Sequence, residues 1–125
     1  MERGINIADI LPADAFFATR YVDGQRNFVT RRIYYNNGNV EAWDGKEWWT
    51  VCKLTPQKIN KAMEAITMSG IMTAEDLSDA SIYDTAVLTY CWRVQGNEGM
   101  ISNWIYPARE HPVFEILDQE LDKLE

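Results

Sequence analysis

Few side chains in this sequence have the chemistry of a catalyst or of a transition-metal ligand. His111 is the single histidine, and the two cysteines, Cys52 and Cys91, form no C-x-x-C pair. A multi-histidine metal site therefore cannot be built, and a Cys91–His111 nucleophile pair requires a fold that brings both side chains together. We expect both cysteines to be structural thiols and His111 to lie at a helix start before Pro112.

A hard cation would need oxygen ligands instead, and one acidic stretch of the sequence could supply them. Its carboxylates lack the D-x-D-x-D-G spacing and the bidentate glutamate of a calcium loop. We therefore expect a solvated loop there, with Glu75, Asp76, Asp79 and Asp84. Phosphate-cradling glycine loops and the G-x-S-x-G motif are also missing from the sequence. The sequence thus predicts no metal, no cofactor and a function closer to binding than to catalysis.

The charge of the chain is unevenly distributed. Residues 1–53 carry seven basic and seven acidic side chains, whereas residues 54–125 carry five basic and twelve acidic ones and so hold the whole net charge of −7. Such an acidic surface repels a phosphate backbone, so we expect no nucleic-acid partner. No apolar run reaches the roughly 20 residues that span a bilayer, and the start of the sequence does not resemble a secretion signal. We expect a cytoplasmic protein without a membrane partner, folded as one domain over residues 1–125.

The first half of the sequence has the pattern of a β-meander. Runs of aromatic and β-branched residues are separated by the dipeptides Asp23-Gly24, Asn37-Gly38 and Asp44-Gly45, which signal tight turns. A later pair of alternating runs predicts a β-hairpin. The predicted strands cover residues 16–22, 28–36, 39–43, 46–51, 83–94 and 100–106.

Two helices are indicated by their ends and by their period. Thr55 supplies a capping hydroxyl, and Pro56 occupies the first helical position, where a missing N–H costs nothing. Apolar residues then recur at i, i+3, i+4 and i+7 until Gly70, which suits a helix end. A second helix begins near Pro112 and runs to residue 125. Together these elements predict an α+β fold, with an antiparallel sheet of four to five strands and two helices packed on one face.

The Asn37-Gly38 loop decides which way the nearby tryptophans point. A two-residue loop pairs Arg32 with Trp43. Because successive side chains of a strand point to opposite faces, Trp49 then joins the core, whereas Trp43 and Trp48 lie outside it. This placement also assumes a two-residue loop at Asp44-Gly45; a three-residue loop there would exchange Trp48 with Trp49 and leave Trp43 outward.

The outward cluster predicts a contact surface. Trp and Arg are enriched in interaction hot spots, and an exposed aromatic patch usually marks a contact site. We expect a protein partner or self-association, through this face or through a free strand edge. The predicted partner-binding residues are Arg32, Tyr34, Trp43 and Trp48. The alternative is structural: basic side chains or the N-terminal segment would simply cover the rings.

A second hypothesis places the function in a pocket between the sheet and the helices. Such an aromatic pocket would bind a small molecule or a glycan, or would serve an enzyme. The residues that could line it are Glu64, Tyr90, Trp92 and Trp104. A purely structural subunit of a larger assembly is the third possibility that the sequence leaves open.

Overall fold

The computed structural model of the chain describes residues 6–23, 28–74, 86–105 and 112–125. In chain order the elements are α1 (Ile7–Ile10), β1 (Ala15–Val22), β2 (Val29–Tyr35), β3 (Asn39–Trp43), β4 (Trp48–Lys53), α2 (Pro56–Met68), a 3₁₀ turn (Ile71–Thr73), β5 (Ala86–Val94), β6 (Asn97–Ile105) and α3 (Pro112–Asp122). The strands within these ranges belong to one antiparallel sheet in the order β4-β3-β2-β1-β5-β6. The predicted α+β class is confirmed, and the described residues add a strand beyond the predicted number and the short helix α1.

Both long helices pack on one side of the sheet, which we call the helix face. The start of α2 follows its sequence signals, because the Thr55 hydroxyl accepts the Lys58 N–H at 3.2 Å and Pro56 is the first helical residue. The end does too, because Gly70 has φ 88°. The main core lies between these helices and the sheet, with Phe17, Tyr34, Val40, Ala62, Ile66, Tyr90, Trp92, Phe114, Leu117 and Leu121 among its residues.

The opposite side of the sheet, which we call the α1 face, has a smaller core of its own. Ala18 pairs with Ile33 on one side and with Cys91 on the other, and these three buried residues pack with Ile10 and Leu11 from the N-terminal segment. The sheet is therefore buried on both sides at its centre, so its central strands do not alternate simply between apolar and polar residues.

The loop between β2 and β3 has three residues, 36–38, rather than the two that we expected. Gly38 has φ 99°, and its N–H donates to the carbonyl of Tyr35 at 3.0 Å. The longer loop moves the register by one residue, so that Arg31 pairs with Trp43 and Arg32 pairs with Ala42. The expected pairing of Arg32 with Trp43 is wrong for this reason.

The loop between β3 and β4 is also longer than the two residues of a tight turn. It covers residues 44–47 and is held by the Asp44 carboxylate, which accepts the N–H groups of Lys46 at 2.9 Å and Glu47 at 3.0 Å. These bonds to Glu47 and Lys46 lower the pKa of Asp44. Because this loop is two residues longer than a two-residue turn, each side chain of β4 points to the same face as it would after such a turn. Trp43 pairs directly with Trp48.

Two glycines with the same backbone requirement test how strongly the β2–β3 loop constrains the fold. Gly38 and Gly96 both have positive φ, but a Cβ on Gly38 would collide with the carbonyl oxygen of Leu54, whereas a Cβ on Gly96 would meet nothing within 4 Å. We expect Gly96→Ala to lower the free energy of unfolding by about 1 kcal/mol through backbone strain alone. Gly38→Ala should lose about 2–4 kcal/mol, because it adds a steric clash. Urea unfolding of the two variants measures the difference, and equal losses would contradict the role given to Leu54.

Candidate functional site

Two indoles form the centre of an exposed surface on the α1 face of the outer strands. The rings of Trp43 and Trp48 lie with their centroids 5.6 Å apart and tilted by 49°. Trp48 keeps 42% of its surface exposed. We call this surface the indole face; it comprises Arg31, Glu41, Trp43, Trp48 and Thr50.

Arg31 holds the indole face in position from the centre of the sheet. Its guanidinium carbon lies 5.3 Å from the centroid of the Trp48 ring, and its Nη2 donates to the carbonyl of Ile10 at 2.9 Å. Its Nε is buried and has no hydrogen-bond partner among the described residues. Burial, followed by the nearby charge of Arg20, lowers the pKa of Arg31. A partly desolvated cation interacts more strongly with an aromatic ring than an exposed one, so Arg31 favours this orientation of Trp48.

A carboxylate completes the indole face on the same two strands as the indoles, β3 and β4. The Thr50 hydroxyl donates to Glu41 Oε2 at 2.9 Å. Next to this pair lies an open groove of about 520 Å³, and burial together with the charges of Asp14 and Glu41 raises the pKa of Tyr35 there. The groove is lined by Pro12, Asp14, Arg31, Ile33, Tyr35, Asn37, Asn39, Glu41 and Trp48. The surface thus combines aromatic rings with a cation and two carboxylates.

The other two residues predicted for partner binding lie on the helix face. Tyr34 is only 3% exposed, and its hydroxyl donates to Glu125 Oε2 at 3.0 Å. Arg32 Nη1 lies 2.9 Å and 2.8 Å from the two carboxylate oxygens of Glu125. Arg32 and Tyr34 therefore do not share a surface with Trp43 and Trp48, because the one-residue change in register moves them to the opposite side of β2. Arg31 takes the place that we had expected for Arg32.

The edge of the sheet beside the indole face is exposed on both sides. Among the described residues β4 pairs only with β3. Trp49 pairs with Ala42 and so points to the helix face, as predicted, but it is 47% exposed and not part of the core. Trp48 and Trp49 therefore lie on opposite sides of the same outermost strand.

The structure does not bring the four predicted pocket residues together. Tyr90 and Trp92 are buried in the main core, where the Tyr90 ring stacks on Phe114 at 3.9 Å and its hydroxyl donates to Asp118 at 2.7 Å. Glu64 instead lines an open groove of about 590 Å³ between α2 and α3. Trp104 pairs with Val87 through its backbone, and its side chain lies outside the described residues. The aromatic pair is thus core, and the carboxylate is separate from it.

A cavity of about 210 Å³ does lie between the sheet and α3, beside Tyr90 and Asp118. Tyr34 and Arg32 border it as well, and both already bond Glu125, just as Tyr90 already bonds Asp118. This volume is smaller than the roughly 300 Å³ at which ligand pockets begin. We assign it to the packing of α3 on the sheet.

The other candidates for chemistry divide between buried and undescribed positions. Burial raises the pKa of Cys91 to about 12, so its thiol is protonated at neutral pH. His111 and the acidic stretch Glu75, Asp76, Asp79 and Asp84 lie outside the described residues. Within the described ranges no cluster of His, Cys, Asp and Glu could hold a metal ion. None of the helices described has the length and apolar character needed to span a bilayer.

Sequence reasoning missed two residues of the indole face, Arg31 and Thr50, and it also missed the exposure of Trp49 on the other side of β4. Val40 and Ala42 alternate with Glu41 and Trp43, and this pattern indicates which face of β3 is buried. It does not indicate which residues of β2 lie opposite β3.

Comparison with protein-family models and with curated proteins finds no match to this chain.

The contact between Tyr34 and Glu125 makes stability depend on pH. Burial, and then the Glu125 carboxylate, raise the pKa of Tyr34 in the folded state. Stabilisation by the neutral hydroxyl is therefore complete below the unfolded pKa of about 10 and is lost as the pH rises above it. We expect the free energy of unfolding to fall more steeply above about pH 10 in the natural chain than in Tyr34→Phe. Urea titrations from about pH 8 to about pH 11 measure both slopes; parallel curves would contradict the assignment.

Proposed function

We propose that this protein is a non-catalytic interaction module that binds an extended segment of a protein partner along the outer edge of β4. The observation that carries the proposal is the exposure of Trp48 (42%) and Trp49 (47%) on opposite sides of the outermost strand. An incoming strand would take up the unpaired backbone groups of β4, and its alternating side chains would contact one indole on each side.

The edge itself supports binding by strand addition. Proteins normally protect an exposed edge with charge, with proline or with a bulge, because a flat apolar edge pairs with other chains. The first half of β4, Trp48–Thr50, carries none of these, whereas the second half has a bulge at Val51 and ends at Lys53. The accessible edge is therefore short and aromatic, which limits which segments can bind.

The indole face supports a partner that contacts side chains as well as backbone. The contact of Arg31 with the Trp48 ring, together with its hydrogen bond to Ile10, favours one orientation of that ring, which lowers the entropy that a partner loses by ordering it. Tryptophan in such a preorganised setting is the residue type most often found at the energetic centre of an interface. Trp43, Trp48 and Arg31 are therefore the proposed partner-binding residues.

A second candidate function is the binding of a small polar ligand, such as a glycan, in the groove beside Trp48. The observation that favours it is the lining of that groove, where Asp14, Tyr35 and Glu41 offer hydrogen-bonding groups next to an aromatic ring. This groove lies on the α1 face and not between sheet and helices, where the sequence had suggested a ligand.

Selection from a random peptide library tests the leading proposal without knowledge of the natural partner. Peptides selected on the natural chain should bind with affinities that fall at least about tenfold in Trp48→Lys and in Trp49→Lys, because each change removes a hot-spot ring and places a charge on the edge. Hydrogen exchange should show that the bound peptides protect amides of β4.

Met68→Lys is the matched control, because Met68 is 79% exposed on α2 and also changes from an apolar residue to a lysine. It should leave peptide binding unchanged. Peptides that bind equally well to both tryptophan variants but lose affinity for Met68→Lys would place the contact site on the helices and would sink the proposal. Saturable binding of glycans that Glu41→Gln abolishes would favour the second candidate.

A further inference from the structure

We infer that the strand which occupies the edge of β4 is β4 of a second copy of this chain, paired antiparallel about a two-fold axis at Thr50. This inference rests on the proposed function, since it names the partner of the same edge. The resulting dimer would join two sheets into one continuous sheet.

The bulge in β4 gives the strand an order of faces that fits a reversed copy of itself. Trp48 and Thr50 point to the α1 face with their partners Trp43 and Glu41, and Lys53 follows Asn39 to the same side. Trp49 points to the helix face, where Val51 and Cys52 pack at the margin of the main core. Along β4, Trp48, Thr50 and Lys53 therefore point to the α1 face, whereas Trp49 and the Val51–Cys52 pair point to the helix face.

A two-fold axis at Thr50 matches these faces along the whole strand. Thr50 lies opposite Thr50, Trp49 lies opposite the Val51–Cys52 pair, and Trp48 lies opposite Lys53. β3 pairs with β4 in the same way inside the chain, where Val40 lies opposite the bulge and Asn39 lies opposite Lys53. Neighbouring positions of the axis fit less well. With the axis at Trp49, only one further residue pair forms before the loop 44–47 meets the bulge. With the axis at Val51, the buried Leu54 would have to join the pairing.

The side chains that meet in this register are complementary. The exposed Lys53 of one copy reaches the exposed side of Trp48 in the other, which gives a cation–π contact on the α1 face. On the helix face, Trp49 covers Val51 and Cys52, which are only half-buried in the single chain. The two-fold axis makes each contact twice, and no like charges lie opposite each other in the strand.

Disulfide trapping in the full chain tests both the partner and the register. Thr50→Cys in a Cys52→Ser background should cross-link two copies under mild oxidation, because directly opposed residues have Cα atoms about 4.5–5.5 Å apart, within disulfide range. Thr67→Cys in the same background is the matched control, since Thr67 is an exposed threonine on α2. We expect cross-linking at residue 50 to be at least about tenfold faster than at residue 67.

Analytical ultracentrifugation of the unmodified chain gives the second measurement. We expect a monomer–dimer equilibrium that Lys53→Glu weakens by about tenfold or more, because the variant replaces the cation over Trp48 with an anion. A chain that stays monomeric up to about 1 mM, with equal cross-linking at residues 50 and 67, would overturn the inference. A dimer that ignores Lys53→Glu or cross-links faster at residue 67 would overturn it as well.

Strand addition at β4 does not require that the added strand come from a second copy of the chain. A monomer whose selected peptides still lose affinity in Trp48→Lys would refute the second copy as partner and leave strand addition at β4 standing. Selected peptides that ignore both tryptophan variants would refute the proposed function itself.

Discussion

The contact between Gly38 and Leu54 fixes the position of every strand from β2 to the edge of the sheet. The N–H of Leu54 donates to the carbonyl of Gly38 at 2.8 Å, and the space at Gly38 has no room for a Cβ. The end of β4 is thereby bound to the loop that begins β3. This closure holds residues 36–38 in a three-residue loop, and that loop places Arg31, not Arg32, opposite Trp43.

Which side chains are exposed then follows from how far the helices reach. α2 and α3 cover Phe17, Tyr34, Tyr90 and Trp92, and the N-terminal segment covers Ala18, Ile33 and Cys91 on the other side. Neither layer reaches the first residues of β4. Arg31 lies at the boundary, where its guanidinium both donates to the carbonyl of Ile10 in α1 and lies over the Trp48 ring, so it links the packed centre to the exposed edge.

The sequence predicted the elements of the fold better than their register, because the two depend on different ranges of contact. Strands β1 to β3 and helix α2 carry local signals, and their predicted positions agree with the structure to within a residue or two. The length of the loop at Gly38 depends on Leu54, which lies far along the chain. β2 could not correct the error, because both of its faces are covered and Ile33 and Tyr34 are both buried. The outward direction of Trp43 could be predicted because β3 has one covered face, whereas that of Trp48 also depended on the length of the loop 44–47.

An edge strand that exposes two indoles would pair with any extended chain unless something restricts it. In β4 the bulge at Val51 performs that role, since it interrupts the regular alternation after Thr50. Inside the chain, β3 pairs across this bulge by placing the single residue Val40 opposite it. A strand on the free edge must do the same and place one residue opposite the Val51–Cys52 pair. A second β4 that runs in reverse meets this requirement with Trp49, and its Trp48 then lies opposite Lys53.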